Sequence, residues 1–343
     1  MRFTVLLNAA LVSLSAASPL SGSAATLGLA SWNLEGYAKD NPIGPTTGGE
    51  GGETVYVSNA QDLLEAVKGD EPRIVYVKGE ISLPERLRIG RNKSVLGVGW
   101  NAHIKQNGIT INGVDNIIVR NLKISKMVDA DGIGINNSTR VWIDHNELYS
   151  EFSEEVGPDT YDGQIDISRA SDWITISWNY LHDHWKSSLV GNSDSLRDVD
   201  FGTLHITYHH NYWRNCGTRG PAGRFGHQHI YNNLYEDFHF QAIHSRSDNQ
   251  VLVEGNVFKG DTPIALDTYG LVIPKDSPNT CVCGDEEIDG FANLGAKNDW
   301  GGAIVNITQE GDFTKADYKF KLTPLSLVKP LVWLGVGVGK VWV

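Results

Sequence analysis

ITISWNYL, residues 174–181, and ITYHHNYW, residues 206–213, share one design: a β-branched run, then an asparagine, then aromatic or aliphatic residues. The unit recurs as IIVRNLKI (117–124), VWIDHNEL (141–148), IYNNLYED (230–237) and VLVEGNVF (251–258). Its asparagines stand at 121, 146, 179, 211, 233 and 256, with spacings of 25, 33, 32, 22 and 23. A base period in the low twenties, lengthened by loop insertions, indicates a β-solenoid, in which stacked turns bury together an apolar face that no single turn could bury. Asparagine at a constant phase suits a bend, because it tolerates left-handed backbone and its amide can bond to the Asn of the next turn. The competing explanation, Asn marking turns of an all-β sandwich, accounts less well for the recurrence.

Composition agrees. The chain of 343 residues is 41% hydrophobic, with 37 Gly, 10 Trp and only 2 Met, which favours one large all-β body. No linker or low-complexity tract divides it. A short helix is expected in AQDLLEAVKG (60–69), where Leu63, Leu64 and Val67 have helical spacing after a cap at Ser58 or Asn59. PLVWLGVGVGKVWV (330–343) is too short for a membrane span and is read as a strand or tail packed on the body. The N-terminus has one Arg, an apolar run to about Leu14 and then small residues, the layout of a secretory signal peptide over residues 1–18. Residues 19–343 then form a single domain of a secreted, extracellular protein, expected to be a monomer with no membrane contact.

A formal net charge of −12 makes nucleic acid a poor partner. An anionic substrate would need local cations to overcome that field. Of the three cysteines, Cys281 and Cys283 stand too close for an easy bridge, so Cys216 is expected to pair with one of them. Sequons occur at Asn92, Asn136, Asn137 and Asn306.

YDGQIDIS (161–168) places Asp162, Gln164 and Asp166 on one face of a strand, opposite Ile165 and Ile167. One repeat upstream, VDADGIGI (128–135) places Asp129 and Asp131 at i and i+2. Strands of adjacent turns lie about 4.8 Å apart, so these carboxylates can converge. Unneutralised, they would raise one another's pKa. Calcium resolves this with six to eight oxygen ligands, and the absence of nearby Cys or His on that face argues against zinc. A solvated acidic surface, or a carboxylate pair for glycoside hydrolysis, would use the same residues. Asp144, within VWIDH, is read as a structural carboxylate. Downstream come cations: Lys186 in HWKSSLVG, then Arg219 and Arg224 in CGTRGPAGRFG. Arg grips carboxylates bidentately and Lys acts as a point charge, so the set suits a polymer bearing carboxylates. Surface ion pairs would explain the arginines equally well. Trp185 and Trp213 are candidates for sugar stacking or for packing.

VWIDH, the block from DGQIDIS through ITISWNYLHDHWKSSLVG, and RGPAGRFGHQHIYNN together resemble the pectate lyase family, over about residues 79–258. The resemblance implies a single-stranded right-handed parallel β-helix, secretion and calcium. It also implies β-elimination on α-1,4-linked polygalacturonate, giving unsaturated oligogalacturonides. By position it makes Asp131, Asp162 and Asp166 the calcium ligands, with Asp129 as a secondary one, and Arg219 the catalytic base. Lys186 and Arg224 would hold substrate carboxylates. Both acidic positions of DGQID are kept, which favours pectate over pectin. A galacturonan hydrolase and a non-catalytic acidic-polysaccharide binder are the alternatives.

Overall fold

The computed structural model describes residues 33–128, 130–277 and 281–341. The expected signal peptide and Asp129 lie outside the described residues.

Alternating small β-branched residues drive the architecture. Ten parallel strands, from Glu53–Val57 to Phe291–Leu294, form a first sheet. Within it Val75, Val95, Val119, Ile143, Ile176, Tyr208, Ile230 and Val253 stack in register, all with no exposed surface. Each such aliphatic side chain contributes about 1.5–3 kcal/mol by burial. A second sheet runs from Glu80–Ser82 through Tyr180–Lys186 to Leu234–Arg246, and a third from Leu87–Ile89 through Ile165–Ser168 to Ala222–Arg224. The thirteen-residue strand Leu234–Arg246 bends from one to the other. Each turn of chain visits the three sheets in order, which makes the fold a parallel β-helix. The solenoid reading holds.

The asparagine phase needs a correction. Asn146, Asn179, Asn211, Asn233 and Asn256 each donate a side-chain N–H to the next Asn Oδ1 at 3.0–3.1 Å, and the ladder runs on to Asn298. The left-handed residue is the one before: His145, Trp178, His210, Asn232 and Gly255 have φ of 52–64°. Asn121 pairs in register one step from His145, so it takes the left-handed position (φ 61°), and Leu122 stands where the ladder would continue. Bend and ladder are separate jobs for adjacent residues. Asn298 also carries the coil past Phe258, where the sequence repeat fades.

The short helix forms over Ala60–Ala66, with Asn59 Oδ1 accepting from the Asp62 N–H at 3.0 Å and Leu63 buried. The C-terminal stretch is a helix, Leu325–Gly335, rather than a strand. Its Val328 and Val332 pack on Trp178, Tyr212, Leu234 and Val257. Residues near both ends, Tyr37 and Tyr318 among them, bury the outer face of the first sheet. Cys281 bonds to Cys283, and Cys216 is a buried free thiol, the reverse of the expected pairing. Trp213 and Trp185 are buried and pack.

Candidate functional site

The acidic residues gather at the third sheet. Strand Ile165–Ser168 lies beside Ile133–Asn136, so Ile165 and Ile167 enter the core and Asp166 faces out across from Gly134. Regular alternation begins only at Ile165. Gln164 therefore does not share the face of Asp166: it is buried and donates to the Leu148 carbonyl at 2.7 Å. A turn, not strand pleat, brings Asp162 to Asp166. Two glycines make the approach possible. A Cβ at Gly163 would lie 2.0 Å from Asp166 Oδ1, and one at Gly134 would lie 2.8 Å from Asp131 Oδ2.

Asp131, Asp162 and Asp166 offer carboxylate oxygens that all lie within 4.8 Å of one another. Burial and the neighbouring Asp162 push the Asp131 carboxyl up to about 6. Burial, Asp131 and Asp162 likewise hold Asp166 well above the carboxylate range, against the opposing charge of Arg219. Two oxygens bound to one calcium at 2.3–2.6 Å can stand no more than about 5 Å apart. The all-oxygen set, its spacing and its mutual repulsion fit a calcium ion.

Supporting residues hold these carboxylates in place. Arg86 donates to the carbonyls of Asp131 at 3.0 Å and Ile109 at 2.8 Å, and to Thr110 Oγ1 at 2.7 Å. His184 Nε2 lies 2.6 Å from the Asp162 carbonyl, so that nitrogen carries the proton and Nδ1 accepts from Ser150 Oγ at 2.5 Å. Burial holds the His184 pKa at about 4, which keeps the ring neutral. No motif marked Arg86 in the sequence, and His184, the first residue of HWKSSLVG, was given no role there.

The cations flank the cluster. Lys186 pairs in register with Thr218, so Lys186 and Arg219 leave neighbouring turns side by side. Lys186 Nζ lies 3.1 Å from Asp159 and 3.9 Å from Asp162. Arg219 adopts φ 66°, and its Nε donates to Asp276 Oδ1 at 2.8 Å. Burial works to lower its pKa, but Asp276 and Asp166 outweigh that and hold the guanidinium above its ordinary range.

The family whose model is described as pectate lyase matches residues 6–277. The chain belongs to the pectate lyase family. It is 42% identical over 300 residues to pectate lyase A of Emericella nidulans, covering 87% of this chain and 84% of the relative. To pectate lyase B of Colletotrichum gloeosporioides it is 39% identical over 289 residues, 84% and 81% of the two chains. A Bacillus pectate lyase crystallised in complex with trigalacturonate superimposes with a TM-score of 0.75 at 31% identity, over 90% of this chain and 99% of that one.

In this polysaccharide lyase the third sequence-marked cation, Arg224, is held by carboxylates of its own. Its Nε donates to Glu287 at 3.1 Å, its Nη1 donates to the Gly191 carbonyl at 2.9 Å, and Asp194 lies 3.4 Å away. Arg246, fully buried, links the partners of the other two arginines: its Nη1 donates to Asp276 at 3.0 Å and its Nε forms an ion pair with Glu287 at 2.9 Å. Arg246, Asp276 and Glu287 are the functional-site neighbours that sequence reading missed. Asp276 and Glu287 lie beyond the recognisable motifs, in a segment with no solenoid repeat, whereas Arg246 ends the solenoid strand Leu234–Arg246 and no motif marks it. Asp144 takes the structural role expected of it, fully buried with Arg120 Nε at 2.7 Å and Ser177 Oγ donating at 2.6 Å.

Proposed function

We propose that the enzyme cleaves α-1,4-linked polygalacturonate by calcium-dependent β-elimination, with Asp131, Asp162 and Asp166 holding the metal. The observation that carries this reading is the meeting of three carboxylates within 4.8 Å, at a spacing one ion can bridge. A calcium ion there supplies positive charge beside a galacturonate carboxylate, which acidifies the adjoining C5–H bond. Lys186 positions a substrate carboxylate by its charge. Arg224 does the same by exchanging Glu287 for substrate. Arg219 accepts the C5 proton, the C–H electrons form the C4–C5 double bond, and the C4–O4 bond breaks, with water protonating the departing oxygen. For this Arg219 must be neutral. With Asp162 and Asp166 both committed to a bound cation, Asp276 would be left to favour the charged guanidinium, and alkaline pH would shift the balance further.

Export is proposed from the N-terminal segment of residues 1–18 and from the Cys281–Cys283 disulfide. Among the described residues no helix is long and apolar enough to cross a membrane.

The test is ultraviolet absorbance on polygalacturonate with calcium and then with excess chelator. A calcium-dependent rise is expected, from the conjugated unsaturated product. New reducing ends without absorbance would mean a hydrolase, and neither signal, even at alkaline pH, would mean a binding protein.

A further inference from the structure

A second feature of the surface lies away from the acidic cluster. The C-terminal helix Leu325–Gly335 covers only part of the outer face of the second sheet. Beside its end a groove of about 420 Å³ opens between helix and sheet, lined by Tyr180, Tyr212, Arg214, Glu236, Trp333 and Lys340. This volume is in the range of small-ligand sites.

The lining combines two chemistries. Tyr180 and Tyr212, from adjacent turns, stack on each other at 5.0 Å with their planes 13° apart; Tyr212 is buried and the Tyr180 ring also stacks on His182, so the pair forms the packed floor of the groove. Trp333 stands across from them with 65% of its surface exposed, and Leu334 beside it is 66% exposed. A buried Val328 and Val332 already anchor the helix, so docking does not account for Trp333. Flat aromatic faces receive the apolar face of a sugar ring, as they receive other rings.

The charge is the second part. Arg214 is exposed and its Nη1 lies 3.5 Å from the Tyr180 hydroxyl. Lys340 lines the same groove, and Lys259 and Lys329 meet each other next to Glu236. That contact with Lys259 holds the exposed Lys329 below the usual lysine range. Arg214 and Lys340 in the groove, with Lys259 and Lys329 close by, form a cationic patch on a chain of net charge −12. Glu236 is itself engaged by the Tyr212 hydroxyl.

We propose that this groove is a second, non-catalytic binding site for a uronic-acid polysaccharide chain, stacking a sugar ring on the exposed Trp333 and pairing carboxylates with Arg214 and Lys340. The choice of polymer rests on the proposed acidic-polysaccharide substrate, but the site binds without calcium and without turnover. It lets the enzyme stay on a long polymer while the acidic cluster engages one segment of it.

The test is mobility in native gels containing polygalacturonate, in excess chelator, with rates on trigalacturonate measured separately with calcium. The parent protein is retarded in chelator. Trp333→Ala and Arg214→Ala each weaken that retardation roughly fivefold to tenfold, the size of a lost stacking or cation contact. Both keep the parent's rate on trigalacturonate, which also shows that they fold. Lys340→Glu gives a third variant on the same readout. Three outcomes overturn the proposal: no retardation of the parent, retardation unchanged in all the variants, or equal retardation by a neutral galactan. A dimer in size-exclusion that Trp333→Ala converts to monomer would also overturn it, making the face a contact between copies. Loss of all absorbance signal with retardation intact would count against the elimination reading alone.

Discussion

The acidic cluster and the arginine network hold comparable numbers of charges a short distance apart, yet they are built on opposite plans. Asp131, Asp162 and Asp166 face one another with like charge, and two of them are pushed well above the carboxylate range. Arg219, Arg224 and Arg246 are instead interleaved with Asp276, Glu287 and Asp194, with cation–anion distances of 2.8–3.4 Å. The first region is incomplete without a cation from outside. The second has its charge balanced by the protein's own carboxylates. A strained like-charge site and a neutralised one thus lie close together, near enough for Asp166 and Arg219 to interact.

Arg219→Lys attacks this contrast most directly. It keeps a cation against Asp276 but loses the planar donor, so turnover should fall by roughly 10²–10⁴ while the melting temperature stays close to the parent's. Turnover near the parent's in this variant would remove Arg219 as the base.

Asp276→Ala breaks the neutral network instead. It leaves Arg219 and Arg246 short of a buried partner, and such losses cost about 3–5 kcal/mol. Urea unfolding measures this, and a loss under 1 kcal/mol would mean that the network is not held together by that carboxylate.

Asp162→Ala should raise the calcium needed for half-maximal activity roughly tenfold or more, because affinity follows the count of charged ligands. An unchanged calcium titration would move the metal elsewhere.

The smallest effect is on pH. Asp131 is raised in the folded chain to about 6, above its value of 3.8 when free. In chelator its contribution to stability is therefore full below pH 4 and lost as pH rises through 6. The loss is on the order of 1–2 kcal/mol after solvent screening. Asp131→Asn should remove that fall in chelator, and calcium should remove it in the parent. Identical pH–stability curves for parent and variant would show that the carboxylates do not strain one another.

Much of this was legible in the residues. The β-branched–Asn unit announced the stacked turns, and DGQID with DADGI announced convergent carboxylates, because both depend on short-range spacing. Asn121 was misassigned, since a single-residue shift between bend and ladder leaves the same letters in the motif. Gln164 was misplaced because alternation was read into a turn. The cysteine pairing failed for a different reason: Cys216 lies inside the coil, where its strand register keeps it, and the other two lie in a loop free to bring them together.

The amino-acid sequence by itself determined the coil and the two sets of charged residues, since burial of a repeated apolar face needs only a period. Tertiary structure alone decided which charges are left facing each other and which are neutralised. That depends on Asp276 and Glu287 arriving from a segment 57 and 63 residues downstream of the arginines they meet, a pairing no local pattern records.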